Sequence, residues 1–273
     1  MSMPNHLVLV RHGLSEGNFA RDMAKTGNLS YFDDNFRERP GHEWRLMPEG
    51  VEQAERAGLW IQEHIVKACG LPHFDRYVYS PHRRTRETAA SLGLPDAEWR
   101  MNRMLRERSW GEIEDLSREQ HEELYPRNYT WQKRDKMNWS PPGGESIVQI
   151  SDGRVRELFD TLHRDHDQKG VESVVAVTHG EWIWAARLAL EYMFNEDWEA
   201  MDDDPAEKIH NCQVVHYTRL NPESGEQSDY LKWMRSVNAG GRETGPGEWR
   251  ESSRKLLSND ELLQQVEQLP RLW

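Results

Sequence analysis

The sequence predicts an α/β fold of three layers, with a mostly parallel central sheet and helices on both faces. Three observations predict it. Short β-branched and apolar runs alternate with longer segments of helical period, as strands joined by crossover helices do. Two of those runs end in His-Gly, at residues 12–13 and 179–180. And 273 residues, 10% of them aromatic, supply enough core for one large domain.

Taken in order, residues 6–10 (HLVLV) read as a buried strand. Residues 49–67 read as a helix with Val51, Ala54, Leu59, Ile61 and Ile65 as its apolar positions. A short strand at 77–79 and a helix at 81–92 follow, then a strand at 99–104. Residues 174–177 (VVAV) are a further strand and 181–193 its helix. Strands at 212–220 and, at an edge, 230–237 complete the sheet. The long connections 19–45 and 112–143 read as covers over a site or as disordered segments. The domain is expected to occupy 1–237. Beyond it, 238–273 reads as a glycine-rich linker and a short helix or tail, with a capping box at Ser258 and Glu261.

Composition narrows the function. Lys plus Arg is 35 and Asp plus Glu 47, a formal net charge of −12. Binding to nucleic acid or an anionic membrane surface needs the opposite balance, so neither is an expected partner. Mean hydropathy is −0.92 and no apolar run approaches the length of a membrane span. Cys69 and Cys212 are far apart, which fits neither a disulfide framework nor a metal motif and points to a reducing compartment. With no signal-like N-terminus, the expected location is the cytoplasm.

The chemistry-bearing residues fall at predicted strand ends. The first strand runs into Arg11-His12-Gly13, with Asn18 soon after; the second ends at Ser80, before Arg83, Arg84 and Arg86; the VVAV strand ends at Thr178, before His179-Gly180-Glu181. In open α/β sheets, ligands bind beyond the carboxyl ends of the strands. Arginines and histidines gathered there make an oxyanion clamp, since the guanidinium fork matches phosphate geometry. A neutral imidazole in the clamp can attack phosphorus and later be freed by water. Such transfer needs positioning, charge stabilisation and a proton donor for the leaving alkoxide, for which Glu107 stands ready. No metal and no cofactor is required by this set.

These segments resemble the histidine phosphatase superfamily, which includes phosphoglycerate mutases. LVRHGLSEGN (9–18) is similar to its signature, YSPHRRTRETA (79–89) to its second-arginine segment, LRERSWGEIE (105–114) to its acid segment and VAVTHGEW (175–182) to its second-histidine segment. LMPEGVEQA (46–54) is similar to the helix opening between the first two, with Met47 where a threonine is usual. The resemblance spans residues 6–220 and implies a phosphoglycerate mutase-like fold. It implies His12 as phosphate acceptor, Arg11, Arg84 and His179 as holders of the phosphoryl oxygens, and Glu107 as proton donor. Asn18 and Gly180 are further substrate-binding positions. Glu181 is a departure, expected either to face water in a helix first turn or to line the pocket mouth and repel a second phosphate.

Other conspicuous residues read blandly. Arg83 and Arg86 are expected to face solvent, since one turn cannot aim every arginine inward. His163 and His166 lack a third ligand and fit a charged helix face. Asp202, Asp203 and Asp204 fit a solvated loop or helix end, Trp182 and Trp184 the core or rim.

The expected activity is hydrolysis of a small phosphorylated metabolite through a phosphohistidine. PPGGES (141–146) and YPRNYTWQKRDKMNW (125–139) resemble the phosphatase branch of the superfamily. Phosphoglycerate mutase-type transfer is the alternative, because Arg118, Lys133 and Arg134 lie in the connection where mutases hold a bisphosphate. A phosphate-binding pseudoenzyme is the second alternative. Substrate identity and oligomeric state are left open by the sequence.

Overall fold

The computed structural model describes residues 2–273 apart from 243, 253 and 255. Among these residues the strands are β1 (His6–Arg11), β2 (Arg76–Tyr79), β3 (Trp99–Met101), β4 (Ser173–Thr178), β5 (Val214–Thr218), β6 (Trp233–Val237) and β7 (Arg250–Glu251). They form one sheet in the order β3-β2-β4-β1-β5-β6-β7. The first four in that order are parallel, and β5, β6 and β7 each run antiparallel to the strand before. The fold is α/β with a mostly parallel central sheet.

The helices are α1 (Glu16–Lys25), α2 (Asp34–Glu38), α3 (Pro48–Ile61), α4 (Arg83–Ser91), α5 (Arg118–Leu124), α6 (Pro126–Arg134), α7 (Ile147–Ile150), α8 (Arg156–Lys169), α9 (Gly180–Glu191), α10 (Asn195–Asp203) and α11 (Asn259–Glu267). Two-residue alternation along the strands divides the core. Leu7, Leu9, Val174, Ala176, Val215 and Tyr217 pack on one face with Ile147, Leu158, Ile183 and Ala186 of α7, α8 and α9. Val8, Val10, Val175, Val177 and Val214 pack on the other with Ala54, Ala57, Ile61 and Ala89 of α3 and α4. Each buried Val, Leu or Ile among them stabilises the fold by about 1.5–3 kcal/mol relative to exposure.

Register sets the functional rim. Arg11 pairs with Thr178 across β1 and β4, and Tyr79 with Val177 across β2 and β4. His12 N donates to Thr178 O, and Ser80 N to Val177 O, both at 3.0 Å. The three chemistry-bearing strand ends therefore stop side by side.

Several elements differ from expectation. Leu59 is exposed, because Ala57, Gly58 and Trp60 hold the inner face of α3 instead. A methyl group at Gly58 would strike the carbonyl of Leu92, so close helix packing fixes that face. Beyond Ile61 the helix widens into π-type turns over Gln62–Lys67. The strand expected from 212 starts at Val214, since Cys212 adopts φ +53°. β6 is not an edge strand, because β7 pairs outside it.

The glycine-rich stretch expected as a linker lies on the domain. Gly240 O accepts from Arg56 Nε at 2.8 Å, Gly245 O from Trp60 Nε1 and Pro246 O from Arg235 Nη1, both at 2.9 Å. Its own carbonyls make the attachment, which composition does not reveal. The α11 capping box is present and the helix is exposed along its length. No helix among the described residues is long and apolar enough to cross a membrane.

Candidate active site

The loop after β1 is shaped by reciprocal glycine contacts. A Cβ at Gly13 would collide with the Gly50 carbonyl, and one at Gly50 with Leu14 O. This close approach seats the start of α3 on the turn carrying His12. Met47 precedes α3 with no side-chain cap, so the usual hydroxyl bond is absent.

His12 is almost fully buried. Its Nδ1 lies 2.8 Å from its neighbour's carbonyl, Gly13 O, and must donate there. Nε2 then carries the lone pair, and Arg84 Nε donates to it at 3.1 Å. The same guanidinium donates through Nη2 to His179 Nδ1 at 3.2 Å and through Nη1 to Gly41 O at 2.8 Å. Burial first, then Arg84, holds both imidazoles well below their ordinary pKa. Both rings are neutral at pH 7, and the His12 Nε2 lone pair is held by Arg84 until a phosphoryl group takes the guanidinium's bond.

Arg11 reaches back to Ile209 O at 2.6 Å through Nη1, while its buried Nε has no partner. An unmatched cationic donor beside two imidazoles marks the place of an anion. Gly180 opens α9 directly above it, where a Cβ would sit 3.4 Å from that Nε. Glu107 lies across the site, its Oε2 3.7 Å from His179 Nδ1, with a side chain 18% exposed. Burial raises its pKa, Glu181 adds to the rise and Arg84 opposes it. Asn18 lines the same pocket; its Oδ1 accepts from Ser15 Oγ at 3.0 Å and Asn211 Nδ2 at 3.1 Å.

The structure thus brings together Arg11, His12, Asn18, Arg84, Glu107, His179, Gly180 and Glu181. Arg83 turns outward to Glu43 at 3.3 Å and Arg86 is exposed. Trp182 is core, its indole donating to Met104 O. His166 faces Glu172 and Arg219. Asp202 and Asp203 close α10 as an exposed helix end, as expected; both bind Lys136, and with Arg11, Asn18, Glu107, Gly180 and Glu181 they line a cavity of about 530 Å³ at the site.

Ligand atoms of His12, Glu107 and His179 lie within 4.8 Å of one another, close enough to hold a metal ion. The surrounding charge opposes one. A dication about 4 Å from a single guanidinium would cost roughly 8 kcal/mol at an effective dielectric near 20, before screening. The arrangement suits an anion: a nucleophilic nitrogen, two guanidiniums and a second imidazole at one end, and a protonatable carboxyl at the other.

Comparison with known proteins agrees with that geometry. Residues 7–222 match the family model for the histidine phosphatase superfamily, branch 1. The chain belongs to this superfamily. It is 31% identical over 204 residues to the 2,3-bisphosphoglycerate-dependent phosphoglycerate mutase of Parvibaculum lavamentivorans, covering 73% of this chain and 86% of that one. It is 28% identical over 177 residues to human 6-phosphofructo-2-kinase/fructose-2,6-bisphosphatase 4, spanning 64% of this chain and 30% of that larger protein. The solved mycobacterial glucosyl-3-phosphoglycerate phosphatase in complex with VO3 has the same fold: TM-score 0.59, 23% identity, 78% of this chain and 92% of that one. The superfamily holds both phosphatases and mutases.

Sequence reasoning missed residues that stand beside this superfamily's candidate site in the chain. Arg21 stands between Trp44 and Trp110, 5.8 and 6.0 Å from their rings, and forms one wall of the phosphoryl pocket. Its signal was its spacing, three residues after Asn18 on the same helix face. Arg108 is buried between Trp110 and Trp139, at 4.8 and 4.9 Å, and binds Glu181. Its signal was adjacency to Glu107. His82 hydrogen-bonds Ser80, which hydrogen-bonds His179.

Proposed function

We propose that this histidine phosphatase superfamily member is a metal-independent phosphomonoesterase acting on a small phosphorylated metabolite through a phosphohistidine at His12. The observation that carries the reading is the neutral His12 ring, with Nδ1 tied to Gly13 O and Nε2 beside Arg84. Nε2 attacks phosphorus while Arg11, Arg84 and His179 take up the charge on the equatorial oxygens. Glu107, whose pKa is raised by burial, gives its proton to the leaving alkoxide. As a carboxylate it then accepts a proton from the water that frees His12. The intact His12, Glu107 and His179 set argues against a pseudoenzyme. The two free thiols fit a cytoplasmic location, and the negative net charge fits a metabolite as partner, not nucleic acid or membrane.

Mutase-type transfer is the second reading. It is favoured by the mutase relatives and by the cavity of about 520 Å³ that adjoins the site and is lined by Arg118, Lys133 and Lys136. One experiment separates the readings. A panel of phosphomonoesters is incubated with the protein, and free phosphate, isomerised ester and acid-labile phosphohistidine are each quantified. Hydrolysis gives phosphate as the main product, and His12→Ala lowers turnover at least about 10³-fold with the melting temperature retained. Isomerisation of 3-phosphoglycerate outpacing phosphate release establishes the mutase instead.

A further inference from the structure

On the reading just given, the reaction asks opposite things of His179 before and after a phosphoryl group arrives. In the free site Arg84 Nη2 is 3.2 Å from His179 Nδ1. A guanidinium only donates, so Nδ1 carries the lone pair and the ring proton is on Nε2. That proton faces Ser80 Oγ at 2.7 Å, and Ser80 in turn donates to His82 Nδ1 at 3.1 Å. The oxygens of a phosphoryl dianion only accept. To hold one, Nδ1 must carry a proton.

We propose that Ser80 and His82 form a tautomer relay for His179, turning its site-facing nitrogen from acceptor to donor without leaving a charge on the ring. The transfer balances. A phosphomonoester monoanion gives its proton to Nδ1 and becomes the dianion. The Nε2–H bond breaks as its proton passes to Ser80 Oγ, and Ser80's own proton passes to His82 Nδ1. His82 Nε2 releases its proton to water. His179 begins and ends neutral, and solvent gains one proton. Departure of the phosphate runs the sequence backwards.

The placement suits that task. Ser80 is fully buried at the end of β2, held by its backbone bond to Val177. His82 precedes α4 and makes no cap bond, which leaves its ring to Ser80. That ring meets His179 edge-on, with centroids 4.6 Å apart. Half-buried itself, it faces the exposed His42 at 6.3 Å, so the chain of groups runs from the fully buried His179 to the surface.

The charges around both rings favour a relay over a stable imidazolium. Burial first, then Arg84, His42, Arg154 and Arg106, brings His82 down to about 3, so it passes a proton on and does not keep it. His179 is faced by Arg84, His12, His82 and Arg11, with Glu107 as its carboxylate. A ring that changes tautomer avoids adding a positive charge among them.

The decisive measurement is nitrogen-15 NMR of the His179 ring in the wild-type protein, assigned with His179→Gln. The free protein is expected in the Nε2–H form and the protein saturated with inorganic phosphate in the Nδ1–H form. Retention of Nε2–H with phosphate bound overturns the relay. Kinetics supply the second arm. Ser80→Ala and His82→Gln are each expected to lower kcat/KM about tenfold and to displace the acidic limb of its pH profile. The double variant should lose no more than either single one, since both cut the same chain. Unchanged pH profiles or additive losses overturn it. A wild-type protein that forms phosphohistidine while these results fail loses the relay and keeps the function; one that turns over no phosphomonoester loses the function itself.

Discussion

Arg108 Nη1 lies 2.9 Å from Glu181 Oε2, with the arginine buried and the carboxylate on the cavity wall. Arg108 also donates from Nε to Glu145 O and from Nη2 to Trp139 O, so it cannot follow Glu181 elsewhere. The pair fixes a negative charge near Glu107 and counters much of it towards the cavity. Glu181 is therefore expected to act more on Glu107 than as a filter against a second phosphate. Glu181 raises the Glu107 pKa, so Glu181→Gln lowers it. Loss of the protonated acid then begins at lower pH, and the basic limb of kcat/KM moves towards acid. Selectivity between a mono- and a bisphosphate of one sugar should change no more than a few-fold. A pH profile of both substrates checks this, and an unmoved limb with a large gain for the bisphosphate restores the filter.

Glu107→Gln should separate substrates by leaving group. An alkyl phosphate needs a proton at the departing oxygen, so its kcat/KM falls by about 10²–10⁴-fold. p-Nitrophenyl phosphate leaves as a stable anion and should lose under about tenfold. Equal losses for both would show that the carboxyl positions substrate and does not donate.

Chelation should leave activity intact. The charge on the phosphoryl group is met by Arg11, Arg84 and His179, and the guanidiniums oppose a dication between His12 and Glu107. Activity is expected to survive dialysis against EDTA. Vanadate, a five-coordinate mimic of the transferring group, should compete with substrate. Loss on chelation, restored by one divalent ion, would reassign His12, Glu107 and His179 as metal ligands.

How far the sequence led can be argued from particular residues. His12 and His179 were legible because each follows an apolar run and carries a glycine behind it, and the register of β1 on β4 then places them together. Arg84 was separable from Arg83 only by resemblance, and the structure turns one inward and the other to Glu43. Arg21 and Arg108 were missed, because spacing from Asn18 and adjacency to Glu107 do not announce which arginine will be held against Trp44 or Trp139, tryptophans distant in sequence. The stretch 238–249 misled for a related reason. Its composition is that of a linker, but its carbonyls are held by Arg56, Trp60 and Arg235, donors far away in the chain. Backbone acceptors leave no trace in side-chain pattern.

Away from the active site, a second buried histidine pair adds to the protein's sensitivity to acid. His6 Nδ1 is 3.1 Å from His216 Nε2, and Arg235 Nη2 is 3.3 Å from His216 Nδ1. Because Arg235 only donates, His216 carries its proton on Nε2 and gives it to His6 Nδ1. A further proton on His6 would have to enter at that acceptor, facing another N–H. Burial first, then Arg235, brings His6 down to about 4, and burial holds His216 well below the ordinary value. In the unfolded chain both take up protons near 6.5. Between the two values the unfolded state binds more protons, so this part of the stability is complete above about pH 6.5 and is lost as pH falls towards 4. For His6 alone the loss reaches about 3 kcal/mol. Arg235 also holds Pro246 O and stacks on Trp249, so strain at the pair reaches the segment leading to β7. His6→Leu removes one of the two titrating groups and keeps an apolar side chain in a buried place. Denaturant unfolding of wild type and His6→Leu at pH 7.5 and pH 5 checks the expectation. The wild type should lose more stability than the variant between those values, even if the variant is less stable at the start. Equal losses would mean that His6 accepts its proton in the folded protein, and that the pair is no barrier to acid.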